Sequence, residues 1–177
     1  MAHVIFLHGA SSSGKTTLAR LVQQKIERPF WHVSLDHLRD NGVIPYQQYI
    51  SGAFDWSADR AAIFKGFHRS IAAYADAGNN LILDHILDTP GWAGELREIL
   101  KPHDVLFVAL HCSVPVLAAR ERARGDRREG SAAQDQASIH LGRRYDLELN
   151  AEDHVEHNVQ AILDAWRDQK RCSEFSC

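Results

Sequence analysis

The first seventeen residues constrain this chain more than any other part of it. Ala2-His3-Val4-Ile5-Phe6-Leu7 is an apolar run that leads directly into Gly9-Ala10-Ser11-Ser12-Ser13-Gly14-Lys15-Thr16. Leu18, Leu21, Val22 and Ile26 then continue at helical spacing. The pattern is a strand, a G-x-x-x-x-G-K-[ST] loop and a helix, the context a phosphate-binding loop requires. Glycine lets the backbone fold around an anion, and the N-terminus of the following helix offers N–H groups to it. Lys15 can reach β- and γ-phosphates, and the Thr16 hydroxyl can ligate Mg²⁺. Gly9, Ser11, Ser12, Ser13, Gly14, Lys15, Thr16 and Thr17 are therefore the candidate nucleotide-binding residues, with ATP and Mg²⁺ as the expected cofactors.

The remaining chain reads as one domain built around that loop. Leu81-Ile82-Leu83 and Val105 to Leu110 are continuous apolar runs, as expected of parallel strands buried on both faces. Strands are expected at about 2–8, 31–35, 80–84, 104–111 and 145–149. Helical stripes run through Ile63, Phe67, Ile71 and Tyr74, through Trp92, Leu96, Ile99 and Leu100, and through Val155, Val159, Ile162, Leu163 and Trp166. Alternating strands and helices imply a three-layer α/β/α sandwich over a five-stranded parallel sheet. The domain is expected to span 1–171, with a substrate loop at about 40–66, a mobile lid at about 124–134 and a frayed tail at 172–177. Two stretches, 40–58 and 125–134, are polar, punctuated by glycine and read as loops.

With 177 residues and a net charge of −3, the chain does not read as a general polyanion binder, so no nucleic-acid partner is expected. No run approaches the roughly 20 apolar residues of a membrane span. Its three cysteines suggest a reducing compartment, and the N-terminus does not read as a signal peptide, so a cytoplasmic setting is expected. Cys112 is expected to be buried, with Cys172 and Cys177 exposed. A homo-oligomer stays an open alternative.

Ligands of an open parallel sheet sit at the carboxyl ends of its strands. Asp36, leaving the second strand, is the candidate base that accepts the proton of a hydroxyl undergoing phosphorylation; the alternative is a cap for a short helix at 37–40. Asp84, leaving the third strand, can hold Mg²⁺ together with Thr16, or bind substrate. His37 and His85 each adjoin an acid. Ordinary half-exposed histidines are the expectation for most of the 11, His8 included, although His85 is kept as a substrate-binding candidate. Arg120, Arg124 and Arg127, spaced i, i+4, i+7, suit a lid face that binds phosphate oxygens, with Arg127 counted among the catalytic groups beside Lys15 and Asp36. The alternative is a solvated face pairing with Glu121 and Glu129.

These residues resemble the chloramphenicol phosphotransferase family of P-loop kinases, itself related in fold to shikimate, gluconate and nucleoside monophosphate kinases. The matching stretches are Gly9 to Thr16, Leu35-Asp36-His37-Leu38, Ala77 to Asp84, and Arg120 to Gly130 continuing to Tyr145-Asp146-Leu147-Glu148. The resemblance covers roughly residues 2–165. It implies transfer of the ATP γ-phosphate to a hydroxyl of a small molecule, in the type member the 3-hydroxyl of chloramphenicol. It also implies that Asp36 deprotonates the acceptor and that Arg124 and Arg127 contact the nucleotide. Two departures fall where the acceptor is chosen. The family has two adjacent acids where this chain has Asp84-His85. Its Gly-rich segment is replaced by Ile44 to Trp56, carrying Tyr46, Tyr49, Phe54 and Trp56. Tyr46 and Phe54 are accordingly candidate substrate contacts, either as pocket walls or as a packed loop. The competing readings are a kinase of another hydroxylated metabolite or of a nucleotide-sugar, and a non-catalytic ATP-binding switch, which would not need Asp36. A GTPase is disfavoured because no Asn-Lys-x-Asp string occurs.

Overall fold

The computed structural model describes residues 1–124 and 130–176. Its elements alternate along the chain: β1 (His3–Gly9), α1 (Lys15–Lys25), β2 (Phe30–Ser34), α2 (Leu35–Asp40), α3 (Tyr46–Ile50), α4 (Trp56–Asp76), β3 (Asn80–Asp84), α5 (Trp92–Leu100), β4 (Asp104–His111), α6 (Val114–Arg124), α7 (Ser131–Ser138), β5 (Leu147–Asn150) and α8 (Val155–Asp168). The strands form one parallel sheet in the order β2-β3-β1-β4-β5. Each strand lies within two or three residues of its expected position.

Strand side chains alternate between two hydrophobic layers. Val4, Phe6, Leu81, Leu83, Val105 and Phe107 face α4 and α5, while Ile5, Leu7, Ile82, Leu106, Val108 and Leu110 face α1 and α8. Both faces of the central strands being covered, β1, β3 and β4 read as nearly unbroken apolar runs, while the edge strands β2 and β5 do not. Each such side chain contributes on the order of 1.5–3 kcal/mol by leaving water. The register sets Asp84 opposite both Leu7 at the end of β1 and Ser34 at the end of β2. The carboxyl ends of three strands thus share one rim.

Three expectations need correction. The stretch 40–58 is not a plain loop: it holds α3 and the start of α4. α3 is barely more than one turn, behind Pro45 and without a side-chain cap, so no periodicity could announce it. Likewise α7 occupies the second half of the expected 124–134 lid and runs on to Ser138. Its residues are small and polar, leaving no apolar stripe to read. Finally, the tail through Ser176 is docked, not frayed. The N–H groups of Cys172 and Ser173 donate to Asp146 Oδ1 at 2.6 and 2.9 Å. Phe175 is buried against Phe6 and Phe107, with ring centroids 5.3 and 4.7 Å apart. Cys112 is buried and Cys172 exposed, as expected; Cys177 lies outside the described residues. Among the described residues, no helix is long and apolar enough to cross a membrane.

Candidate active site

The loop from Gly9 to Thr16 leaves β1 and enters α1 at the shared rim. A Cβ on Gly9 would lie 2.6 Å from the Leu110 carbonyl oxygen, so only glycine allows β1 and β4 to approach there. Gly14, at φ +102°, turns the chain into the helix, and Ser12 is also left-handed at φ +62°. The hydroxyls of Ser12 and Ser13 are buried and have no hydrogen-bond partner among the described residues. Lys15 Nζ donates to the carbonyls of Gly9 and Ala10 at 2.9 and 2.8 Å. Buried hydroxyls, a turned backbone and an ammonium at one point are the donor set a polyphosphate requires.

Thr16 and Asp84 complete the loop. The Thr16 hydroxyl donates to Asp84 Oδ2 at 2.7 Å. Burial by itself would push the Asp84 carboxyl up. The His32 imidazole 3.6 Å away, the Lys15 ammonium and the Thr16 hydroxyl outweigh that, holding it below the ordinary carboxylate value. Asp84 is therefore an anion. A hydroxyl and one carboxylate beside a phosphate site suit Mg²⁺, which takes few protein ligands and shares substrate oxygens.

Asp36 lies in the first turn of α2. Ser34 is the cap of that helix, accepting from the Asp36 N–H at 3.2 Å, so the capping alternative for the Asp36 carboxylate falls. Asp36 Oδ1 instead meets Arg39 Nη1 at 3.1 Å, and Arg39 lies over the Tyr46 ring at 5.3 Å. Phosphate loop, Asp36 and Asp84 line one cavity of about 1320 Å³, walled at its far end by Ile44, Tyr46, Tyr49 and Trp56. The 44–56 stretch both packs on itself and walls the cavity. Phe54 is the exception: it is not among the residues lining the cavity, is 48% exposed and meets the Tyr49 ring edge-on.

Two histidines also differ from expectation. His85 is 4% exposed and boxed by Phe6, Phe64, Phe67 and Trp92; burial first, then the His68 charge, lowers its pKa to about 3. It nonetheless lines the cavity. His8 is fully buried beneath the loop, its Nδ1 2.9 Å from the Tyr145 hydroxyl, which also meets His140 Nδ1 at 2.8 Å. Burial, followed by the neighbouring positive groups, keeps His8 neutral. His37 is half-buried, as expected, with its ring against His32.

Arg120 lines the cavity and also braces the phosphate loop. Its guanidinium donates to the Ser13 and Ala151 carbonyls at 2.9 and 3.3 Å, tying the phosphate loop to the segment after β5. Glu121, weighed as an ion-pair partner for the arginines, accepts from the N–H groups of Gly130 and Ala132 and from the Ser131 hydroxyl, capping α7; its pairing with Arg124 and Arg127 lies outside the described residues. Asp135 of α7 reaches the Ser11 N–H at 3.3 Å. Arg127, Glu129 and the Arg124 side chain lie outside the described residues. Sequence reasoning passed over Arg39, Asp135 and Arg60, which lines the cavity, pairs with Asp88 at 2.9 Å and lies over the Phe64 and Trp92 rings. Arg39 was detectable from its i, i+3 spacing to Asp36; Asp135 carried no signal.

A model of chloramphenicol phosphotransferase-like proteins matches residues 2–167. The chain belongs to that family. A protein of Mycobacterium tuberculosis H37Rv, provisionally named an O-phosphotransferase, is 29% identical over 167 residues, covering 83% of this chain and 74% of its own. Among solved structures, the M. tuberculosis APS kinase CysC in complex with AMPPNP and APS aligns with a TM-score of 0.67 at 19% identity, over 94% of this chain and 98% of that one. A gluconokinase of Sinorhizobium meliloti aligns with a TM-score of 0.61 at 19% identity, over 94% and 92%. These likenesses establish the P-loop kinase fold. Membership of the family makes the chain an enzyme of the kinase and O-phosphotransferase class.

Proposed function

We propose that the protein transfers the γ-phosphate of MgATP to a hydroxyl of a small molecule, with chloramphenicol or a related antibiotic or metabolite as the acceptor. The observation that carries this reading is the single cavity joining the phosphate loop to Asp36 and to an aromatic wall. Lys15, Arg120, Gly14 and the loop serines would hold the phosphates, with Thr17 beside them and Arg124 and Arg127 as further nucleotide contacts. Thr16 and Asp84 would hold Mg²⁺, which when bound offsets charge on the β- and γ-phosphate oxygens. Asp36 takes the proton of the acceptor hydroxyl as that oxygen bonds to the γ-phosphorus and the bond to the bridging oxygen breaks, releasing ADP. Tyr46 and Trp56 offer faces to an apolar or aromatic body.

The charge balance supports a neutral acceptor over a nucleotide-sugar. Arg39 is paired with Asp36 and Asp40, and Arg60 with Asp88, so the described acceptor end is not cationic. The test is incubation of the protein with MgATP and chloramphenicol, followed by the mass of the drug. A gain of one phosphoryl group is expected. No gain on chloramphenicol but a gain on another hydroxylated compound would change the acceptor and keep the reaction. ATP binding without transfer to any hydroxyl compound would favour the switch reading.

A further inference from the structure

Behind the acceptor end of the cavity lies a chain of three polar side chains that the phosphoryl-transfer reading leaves unused. Glu95 of α5, 39% exposed by its side chain, meets His68 Nδ1 at 3.1 Å. His68 of α4 is fully buried, and its Nε2 lies 3.1 Å from His85 Nε2. The other nitrogen of His85, Nδ1, has no hydrogen-bond partner among the described residues, and it is not among the buried nitrogens left unsatisfied. His85 lines the cavity.

The hydrogen count along the chain is determined at its outer end. An ionised carboxylate can only accept, so His68 Nδ1 carries the proton it donates to Glu95. Burial of His68 disfavours a second proton on that ring, which leaves Nε2 as a lone pair. Two lone pairs cannot face each other at 3.1 Å, so His85 Nε2 is the donor. The remaining nitrogen, His85 Nδ1, is then a bare lone pair. The aromatic box of Phe64, Phe67 and Trp92 holds the ring in place.

We infer that Glu95 and His68 are positioning residues that set the tautomer of His85, and that His85 Nδ1 selects acceptors bearing a second hydrogen-bond donor beside the hydroxyl to be phosphorylated. This rests on the reading that the acceptor occupies the Asp36 end of the cavity. A carboxylate at this position, next to Asp84, would add a second negative charge to the rim. A neutral imidazole supplies an acceptor without one.

The test uses the intact protein labelled with ¹⁵N-histidine. Wild-type His85 should show a protonated Nε2 and an unprotonated Nδ1 at neutral pH. Glu95→Ala should mix the two tautomers, and Glu95→Gln, which keeps an acceptor oxygen, should restore the single form; a purely structural role for Glu95 would leave the tautomer unchanged. Chloramphenicol, which carries a secondary hydroxyl and an amide N–H as candidate donors, should move the Nδ1 resonance. Either its 1-deoxy or its N-methyl-amide analogue should fail to do so and bind about three- to tenfold more weakly, the scale of one neutral hydrogen bond. A protonated Nδ1 in the wild type overturns the inference, as does equal binding of all three compounds. If no compound reaches His85 although its tautomer is as stated, the selection role falls, and the fault lies in placing the acceptor in this cavity.

Discussion

Replacing Asp36 with Asn separates catalysis from structure at the residue on which the reaction depends. The substitution keeps the shape and the oxygen that Arg39 contacts, and it leaves the Ser34 cap untouched because that cap uses the Asp36 backbone. Only the negative charge and the proton affinity change. The Asp36 side chain is 33% exposed, and a partly exposed ion pair of this kind contributes roughly 0.2–1 kcal/mol. Melting should therefore fall by no more than about 4 °C in a chain of this size. Loss of a general base costs about 10²–10⁴-fold in rate, or roughly 3–5 kcal/mol on the barrier. The two effects differ enough to be told apart in one preparation. Turnover is followed by ADP release with acceptor, ATP affinity by calorimetry and stability by thermal melting. ATP affinity should be unchanged. A rate within about threefold of wild type would refute the role, and so would a rate loss matched by a collapse in melting temperature.

Other substitutions test the remaining framework. Lys15→Ala should lower transfer on the order of 10²–10³-fold, as expected when one fixed donor to developing charge is removed; unchanged turnover would displace the phosphate loop from the chemistry. Gly9→Ala should destabilise the fold by roughly 1–3 kcal/mol in urea unfolding, because its methyl would meet the Leu110 carbonyl at 2.6 Å. A neutral result would mean that β1 and β4 separate easily at that rim. Phe175→Ala should cost about 3 kcal/mol, typical of a buried phenylalanine, since its ring closes the layer over Phe6 and Phe107; a cost under about 0.5 kcal/mol would return the tail to the frayed state its composition suggests.

Much of the site was legible because phosphate binding is a local property. Gly9, Gly14, Lys15 and Thr16 act through backbone conformation and short reach, and both follow from neighbours in sequence. The acids were legible through topology, since a residue ending a buried parallel strand must emerge at the ligand rim. Asp84 ends β3 opposite Ser34, and Asp36 follows two residues after Ser34, at the same rim. The packing partners of Arg120, Glu121 and His85 were not legible. Arg120 has the spacing of a lid arginine, yet its partners are carbonyls of Ser13 and Ala151, 107 and 31 positions away. Glu121 has the spacing of a helical ion pair, and nothing local announces that it also caps the next helix. His85 looks like any histidine beside an acid until α4 and α5 close over it.

The parallel α/β architecture, the phosphate loop and the strand-end acids follow from the order of the residues alone. All three depend on periodicity, on glycine conformation and on the alternation of strands and helices, which are carried by residues close together in the chain. Which polar groups are buried with partners and which stay open to ligand depends on how distant elements pack. The docking of Phe175, the Glu95–His68–His85 chain and the exclusion of Phe54 from the cavity wall arise where separate elements meet. Their side chains interact because packing removes water between them, and no local pattern records which distant residue will be on the other side.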